Sequence, residues 1–459
     1  IELGQEIPFS FDVTDDQNQL AEVKIYFRRQ GEPEYSENIV GVAPGQTHFD
    51  VFLSGLTDSL TPVEYYIQAA DAQGLTGFSG TAENPHTICV IDPQKKTPVI
   101  IIPGIMGTEL VDAETEELIW FNDDLLPNDP PFNNDVWLLR LLLNEGGRFP
   151  DLGDRCALDF SRCDINKCLY GGSPACVVGG RIIRPRNLLD TLGYRAYSRL
   201  VDFLVEGKID GGGGYTFNQN LFTFPYDWRL DIHGDFDKMN PNGIVRLLRE
   251  KIIELSGNSC QKIDLVAHSQ GGLVVCSYLQ EYKNNHRIGK IIFLSTPHLG
   301  APKSYAILQG YHQIIRWYGN RQIDLDDVLN INTQTFISQN FPAVYQLLPR
   351  FNFVSRNGTF EPYALTYSNL SNQGLVTLAN NFHTFINDQY PEDIQYYSII
   401  GSGLRTLSGL AVQDDGCIAP YLDLYGDGTV TLLSSTSFGL ARRFFVNNEH
   451  GSLPGIEAV

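Results

Sequence analysis

The chain has 459 residues, 42% hydrophobic and 19% charged, which excludes a disordered or fibrous protein and leaves ample chain to bury a core. Its formal charge of −21 argues against nucleic acid as a partner and against generic attraction to anionic membranes. That charge is unevenly placed: residues 1–92 hold 15 Asp/Glu and 3 Lys/Arg, a net of −12, and the other 367 residues carry only −9.

No run approaches the roughly 18 apolar residues that a membrane-spanning helix needs, so a soluble chain is expected. It begins at Ile1 with neither Met nor a signal peptide, as a processed mature product or a cut piece would. Over residues 1–92, Val23, Ile25 and Phe27 alternate with Lys24, Tyr26 and Arg28, and Val63, Tyr65, Ile67 and Ala69 alternate with Glu64, Tyr66 and Gln68. A period of two predicts half-buried strands, and the Gly/Pro/Asp/Ser turns between them predict a small all-β sandwich. The run VEYYIQAADAQG resembles the penultimate strand of fibronectin type III and related immunoglobulin-like modules, although the core Trp of those modules is missing. With no acid–base–nucleophile set in it, this region is expected to be a spacer or adhesion unit.

After the linker DPQKKTP (residues 92–98) the grammar changes. Val99–Ile102, Ile263–Val266, Ile291–Leu294 and Tyr397–Ile400 are continuous apolar runs, as buried parallel strands are. Residues 243–255 and 271–282 carry apolar residues at helical spacing. Strands alternating with helices predict an α/β domain with a mostly parallel sheet over 97–459. Residues 115–220 interrupt the pattern and are expected to form a cap insertion, with Pro/Asn-rich loops, the apolar piece Val136–Leu143 and a glycine run at Gly211–Gly214. Four of the eight cysteines, Cys156, Cys163, Cys168 and Cys176, cluster in it without the C-x2–4-C pairs of structural zinc. Disulfides, and hence an oxidising compartment, are the expectation there, with all three pairings open; Cys260 and Cys276 suit plain buried thiols.

The strongest chemical signal is Ala267-His268-Ser269-Gln270-Gly271, which follows the strand KIDLVA and opens a helix. A strained strand-to-helix turn with small residues two positions either side exposes a nucleophilic serine, and the helix start offers the Gln270 N–H to a developing oxyanion. The bland alternative is a helix cap at Ser269. A second oxyanion donor is expected from the loop Pro103-Gly104-Ile105-Met106-Gly107, whose glycines permit close approach to a carbonyl.

In this arrangement the acid and then the histidine follow the serine in sequence. Asp427, flanked by glycines in LYGDGTV, is the preferred acid, with Asp414 and Asp415 as fallbacks and a calcium loop or tight turn as the alternative reading. Among His286, His298, His312, His383 and His450, the last fits the final strand-to-loop junction. His268, next to the nucleophile, should point its ring away and pack. Asp231, His233, Asp235 and Asp237 would line one side of an extended strand as a metal site, but a solvated loop is the preferred reading.

PVIIIPGIMGTEL, FPYDWR (224–229), AHSQGG, FLSTPHLGAP, GDGTV and His450 occur in the order seen in the lecithin:cholesterol acyltransferase family, which the chain resembles over about residues 97–456. That resemblance implies an α/β hydrolase with Ser269, Asp427 and His450 as triad and the Met106 and Gln270 N–H groups as oxyanion hole. It also implies that Tyr226-Asp227-Trp228-Arg229 sits at the carboxyl edge of a strand beside the site. Ile105, Tyr226 and Asp227 are the candidate substrate-binding residues, and Trp228 and Arg229 are read as braces. The chain departs from the family's eukaryotic pattern in its later cysteines and its N-terminal module.

The expected function is a secreted or cell-surface serine ester hydrolase of the lipase/phospholipase type, using no cofactor or metal and forming an acyl-enzyme resolved by water or an alcohol. The apolar cap piece suggests a lipid-like acyl chain and contact with a lipid surface through the cap, an ordinary buried helix being the alternative. Arg181, Arg184, Arg186, Arg195 and Arg199, against Asp190 alone, would meet a phosphate head group or neutralise the surface. The alternatives are a polyester or carboxylester depolymerase with a docking module, and a non-catalytic surface adhesion protein.

Overall fold

The computed structural model describes residues 1–456 apart from 18, 114, 117, 121–147, 152–177, 190–195, 207–212, 235–242, 258–260, 312–337, 388 and 414–416. The apolar piece Val136–Leu143, the cysteine cluster, Cys260, His312, Asp235, Asp237, Asp414, Asp415, Asp190 and Arg195 therefore lie outside the described residues. The chain divides into two compact units, Ile1–Thr97 with Ile252–Ile263, and Pro98–Lys251 with Asp264–Val459. Among the described residues no helix is long and apolar enough to cross a membrane.

The N-terminal strands are β1 (Ile7–Asp12), β2 (Leu20–Arg29), β3 (Ser36–Val40), β4 (His48–Leu53), β5 (Val63–Asp71), β6 (Thr76–Ser79) and β7 (His86–Ile88). They form an antiparallel β1–β4 pair and a β3–β2–β5–β6 sheet with β7 added on β5. The register of β2 on β5 sets Ile25 opposite Ile67 and Tyr26 opposite Tyr66. One face therefore buries Val23, Ile25, Val63 and Ile67 against Ile7, Phe9, Phe49 and Leu53 of the other sheet. The opposite face stacks Tyr26 on Tyr66, ring centroids 4.6 Å apart. The alternation read from sequence is thus the alternation of the pleat.

The second unit opens with β8 (Val99–Ile102), β9 (Thr108–Asp112), β10 (Leu118–Trp120), β11 (Arg148–Asp151), β12 (Val178–Leu188) and β13 (Leu221–Thr223). It continues with β14 (Ile263–His268), β15 (Ile288–Leu294), β16 (Val354–Arg356), β17 (Thr359–Phe360), β18 (Gln395–Gly401), β19 (Leu404–Val412), β20 (Ile418–Gly426) and β21 (Arg442–Val446). The central sheet runs β13–β8–β14–β15–β18–β21, and its pairs β13–β8, β8–β14, β15–β18 and β18–β21 are parallel. Val99, Ile101, Val266 and Leu294 project from one face onto Tyr197, Leu200, Val201 and Leu204 of the helix Ala196–Glu206. The helix Gln270–Glu281 is buried from Gln270 to Leu279. Burial on both sides explains why these strands read as apolar runs.

Two smaller sheets were not legible in the sequence. One is antiparallel, β10–β9–β12–β11, and starts directly after the loop that follows β8. The other, β17–β16–β19–β20, contains a long hairpin between Gly401 and Asp427. Asp427 therefore follows β20, with the hairpin standing between it and β18. An isolated bridge between Leu404 and Asp427 closes the hairpin at its base, returning the aspartate to the end of β18.

Candidate active site

The turn after β14 places Ser269 at φ 53° and ψ −125°, a left-handed backbone that a non-glycine residue adopts only when its surroundings hold it there. Those surroundings are tight. A Cβ on Gly271 would lie 2.5 Å from the Pro103 carbonyl oxygen, and one on Gly104 would lie 2.8 Å from the Ser269 Cβ. Both positions need glycine because the loop after β8 runs against the start of the helix.

Three side chains from distant elements meet at this turn. His450 Nε2 is 2.8 Å from Ser269 Oγ, and His450 Nδ1 is 2.7 Å from Asp427 Oδ2. The carboxylate can only accept, so Nδ1–H donates to it, which leaves Nε2 to accept from the serine hydroxyl. Asp427 Oδ1 accepts from the backbone N–H of Val430 at 2.7 Å and of Thr429 at 3.0 Å. Burial works to raise the Asp427 carboxyl, but His450 and the two backbone N–H groups outweigh it and hold it below the usual carboxylate range. The tight turn read as an alternative for GDG is present, formed by the same aspartate that holds His450. Gly401 makes room, since a Cβ there would lie 2.6 Å from the Asp427 Cβ.

The loop Pro103–Thr108 is clamped by three side chains, of which the sequence singled out only Trp228 as a brace. Trp120 Nε1–H donates to the Met106 carbonyl at 3.1 Å, and Trp228 Nε1–H to the Thr108 carbonyl at 3.2 Å. The two indoles meet edge to face, centroids 5.3 Å apart. Tyr226 Oη donates to the Pro103 carbonyl at 2.9 Å, and burial pushes its phenol far up, so the proton stays on. Met106 takes φ 63°, a second strained residue in this neighbourhood. No local pattern marks such partners, because each bond closes over a long sequence separation.

Tyr226 is 1% exposed. Asp227 is 7% exposed and forms a bidentate pair with the fully buried Arg229, Oδ1 to Nε 2.8 Å and Oδ2 to Nη2 2.5 Å. Both side chains are engaged by protein partners. Asp231 and His233 are buried, which corrects the expectation of a solvated loop. Asp231 accepts from Gln346 Nε2 at 2.5 Å and from the backbone N–H groups of His233 and Gly234, and His233 Nδ1 lies 3.1 Å from Ser277 Oγ.

The other histidines lie elsewhere. His286 contacts Asp393 at 3.0 Å, His383 the Gln346 carbonyl at 2.8 Å, and His298 stacks on Phe438. Cys276 is a buried thiol, pushed up to about 12 by its burial. Arg184 pairs with Glu116, and Arg186 with Glu109 at 3.0 Å, so the charge of these two is already matched by glutamates. His268 does more than pack: its Nδ1 is 2.7 Å from Tyr197 Oη and its Nε2 is 2.9 Å from the His450 carbonyl.

A parallel sheet with a strained serine turn after its central β14 and a histidine beyond its last strand defines an α/β hydrolase. The sequence profile of the lecithin:cholesterol acyltransferase family matches residues 188–455, more than half of the chain, and the chain belongs to that family. No curated protein matches it significantly. Solved structures similar to it include the Tle4-Tli4 complex, 15% identical over 78% of this chain and 95% of that one, with a TM-score of 0.44. Another is the mature lipase BlEst2 of Bacillus licheniformis, 13% identical over 79% and 88%, TM-score 0.32. A third is the cell-wall-degrading esterase LipA of Xanthomonas oryzae, 11% identical over 85% and 83%, TM-score 0.25. Family membership supports an acyl-ester hydrolase or acyltransferase.

Proposed function

We propose that this protein is a secreted serine hydrolase of lipid acyl esters that is also able to pass the acyl group to an alcohol. The observation that carries the reading is the chain of hydrogen bonds Ser269–His450–Asp427, 2.8 Å and 2.7 Å, at a strained turn. His450 Nε2 takes the hydroxyl proton as Ser269 Oγ bonds to the ester carbonyl carbon. The carbonyl electron pair moves to oxygen, and that oxyanion sits against the backbone N–H groups of Gln270 and Met106, each donor worth about 10²–10³ in rate. The anion collapses, the C–O bond breaks, and His450 returns its proton to the departing alcohol. Water or an acceptor alcohol then repeats the steps on the acyl-enzyme. Tyr226, Asp227, Trp228 and Arg229 serve as braces rather than substrate contacts, in keeping with their burial.

Labelling with a fluorophosphonate tests the reading: an adduct on Ser269 is expected, and its absence from the folded wild type overturns the proposal, in favour of a non-catalytic adhesion protein. Esters of rising chain length and phospholipid micelles, with and without a long-chain alcohol, test the substrate class. Activity confined to chains of a few carbons would instead favour a carboxylester or polyester depolymerase. Secretion rests on the cysteine cluster, and a full set of reactive thiols in the protein as isolated would remove that support.

A further inference from the structure

We propose that Tyr197 and His268 are positioning residues that tie the oxyanion loop to the backbone of the base, so that the two halves of the catalytic apparatus are set together. The proposal rests on the serine-hydrolase reading above.

Four groups lie in one hydrogen-bonded row. Gly104 N is 2.9 Å from Tyr197 Oη, Tyr197 Oη is 2.7 Å from His268 Nδ1, and His268 Nε2 is 2.9 Å from the His450 carbonyl oxygen. The direction of every bond follows from the two ends. A carbonyl can only accept, so His268 carries its proton on Nε2. Burial first, with His450 beside it, holds the ring down to about 3, so it is neutral and its Nδ1 has no proton. Nδ1 must then accept from the Tyr197 hydroxyl, whose oxygen in turn accepts from the Gly104 N–H. No other tautomer satisfies all three bonds.

Its ends give the row its meaning. Gly104 opens the loop that carries the Met106 N–H, and the His450 carbonyl belongs to the residue whose imidazole reaches Ser269 Oγ. His268 itself precedes the nucleophile in the chain. The rings of His268 and His450 lie 5.0 Å apart, and Tyr197 meets His268 edge to face at 5.7 Å. Both Tyr197 and His268 are buried, and neither needs to touch substrate to act.

The test uses Tyr197→Phe, His268→Leu and His268→Gln in the full chain, with a lipid-like ester as substrate. Tyr197→Phe and His268→Leu should each lower kcat up to about 10²-fold, the effect of a misplacement of about 1 Å, with KM little changed. His268→Gln, which keeps an N–H for the His450 carbonyl, should recover most of the His268→Leu loss. The double variant Tyr197→Phe/His268→Leu should fall no further than the worse single, since the two act as a unit. Nitrogen-15 shifts of His268 should report a protonated Nε2 and a bare Nδ1. Wild-type kcat in folded Tyr197→Phe and His268→Leu overturns the proposal, as does the opposite tautomer; if His268→Leu fails to fold, Tyr197→Phe and the tautomer decide. If Ser269 of the wild type takes no fluorophosphonate, the hydrolase reading falls first. If it is labelled and the variants keep their kcat, only the positioning role falls.

Discussion

Both units of the chain bury apolar side chains, but they differ in what else they take out of water. Among the described residues of 1–97, the core is Ile, Val, Leu and Phe, and the one buried polar side chain is Thr57. The α/β unit buries Asp227, Arg229, Asp231, His233, His268, Ser269, Gln270, His383, Asp427 and His450. Taking such groups out of water is costly unless each finds a partner, so they are retained only in networks that hold them in a set geometry. The net charge runs the other way: the strongly acidic region keeps its carboxylates on the surface, and the nearly balanced one takes charge inside. Charge count therefore says little about where chemistry lies, and buried charge says much.

The largest effects should come from the core of that network. Ser269→Ala and His450→Ala should each reduce turnover by about 10⁴-fold or more while leaving thermal stability near wild type, measured by ester hydrolysis beside a melting curve. Asp427→Asn should cost about 10³–10⁴-fold, because an amide favours the wrong tautomer of His450. Retention of turnover by any of the three in folded protein would unseat the assignment of that residue and erase the contrast between the units.

How much of this was legible depends on whether the information is local. Ala267, Ser269 and Gly271 stand out because a strained turn requires small neighbours within two residues. The parallel strands stand out because both their faces are buried. Asp427 was marked by its flanking glycines, yet its route to the site was hidden. The pairing of β19 with β20 shifts register between Leu404 and Thr406 and again between Leu407 and Gly409, so no clean period of two survives in the sequence. The clamps from Tyr197, Trp120 and Tyr226 and the burial of Asp231 were out of reach for a related reason. The clamps' partners lie on other elements, and Gln346, the side chain that meets Asp231, stands 115 residues away in the chain.

A mid-sized effect compares the same chemistry in the two units. Arg229→Met leaves Asp227 buried without its partner and should destabilise the α/β unit by about 3–5 kcal/mol, read from denaturant unfolding. Removing both charges together, as Arg229→Met with Asp227→Leu, should recover much of it. Arg28–Glu64 is also 2.8 Å long but only part-buried in the N-terminal sheet, and Arg28→Met should cost clearly less. Equal losses at the two sites would mean that burial is not what separates them. For the apolar core, Ile25→Ala should cost about 2–5 kcal/mol and leave kcat unchanged.

Acid should divide the units with opposite signs. His268, His298 and His383 of the α/β unit are each held down to about 3, chiefly by burial. Unfolded, each would titrate near 6.5. Between those values the unfolded chain binds more protons than the folded one, so their contribution is full above about pH 6.5 and falls with pH, by about 1.4 kcal/mol per pH unit for each histidine. His48 on the N-terminal sheet is exposed and raised, first by its hydrogen bond to Asp12 at 2.8 Å. There the folded state binds the proton more tightly, so its contribution is present below about pH 6.5 and is lost as pH rises through the raised value. Lowering the pH from 7 to 5 should therefore weaken hydrogen-exchange protection in β8, β14 and the helix Gln270–Glu281, and leave that in β1 and β4 unchanged or slightly improved. A uniform loss of protection across both units would show that the buried histidines do not set the acid response.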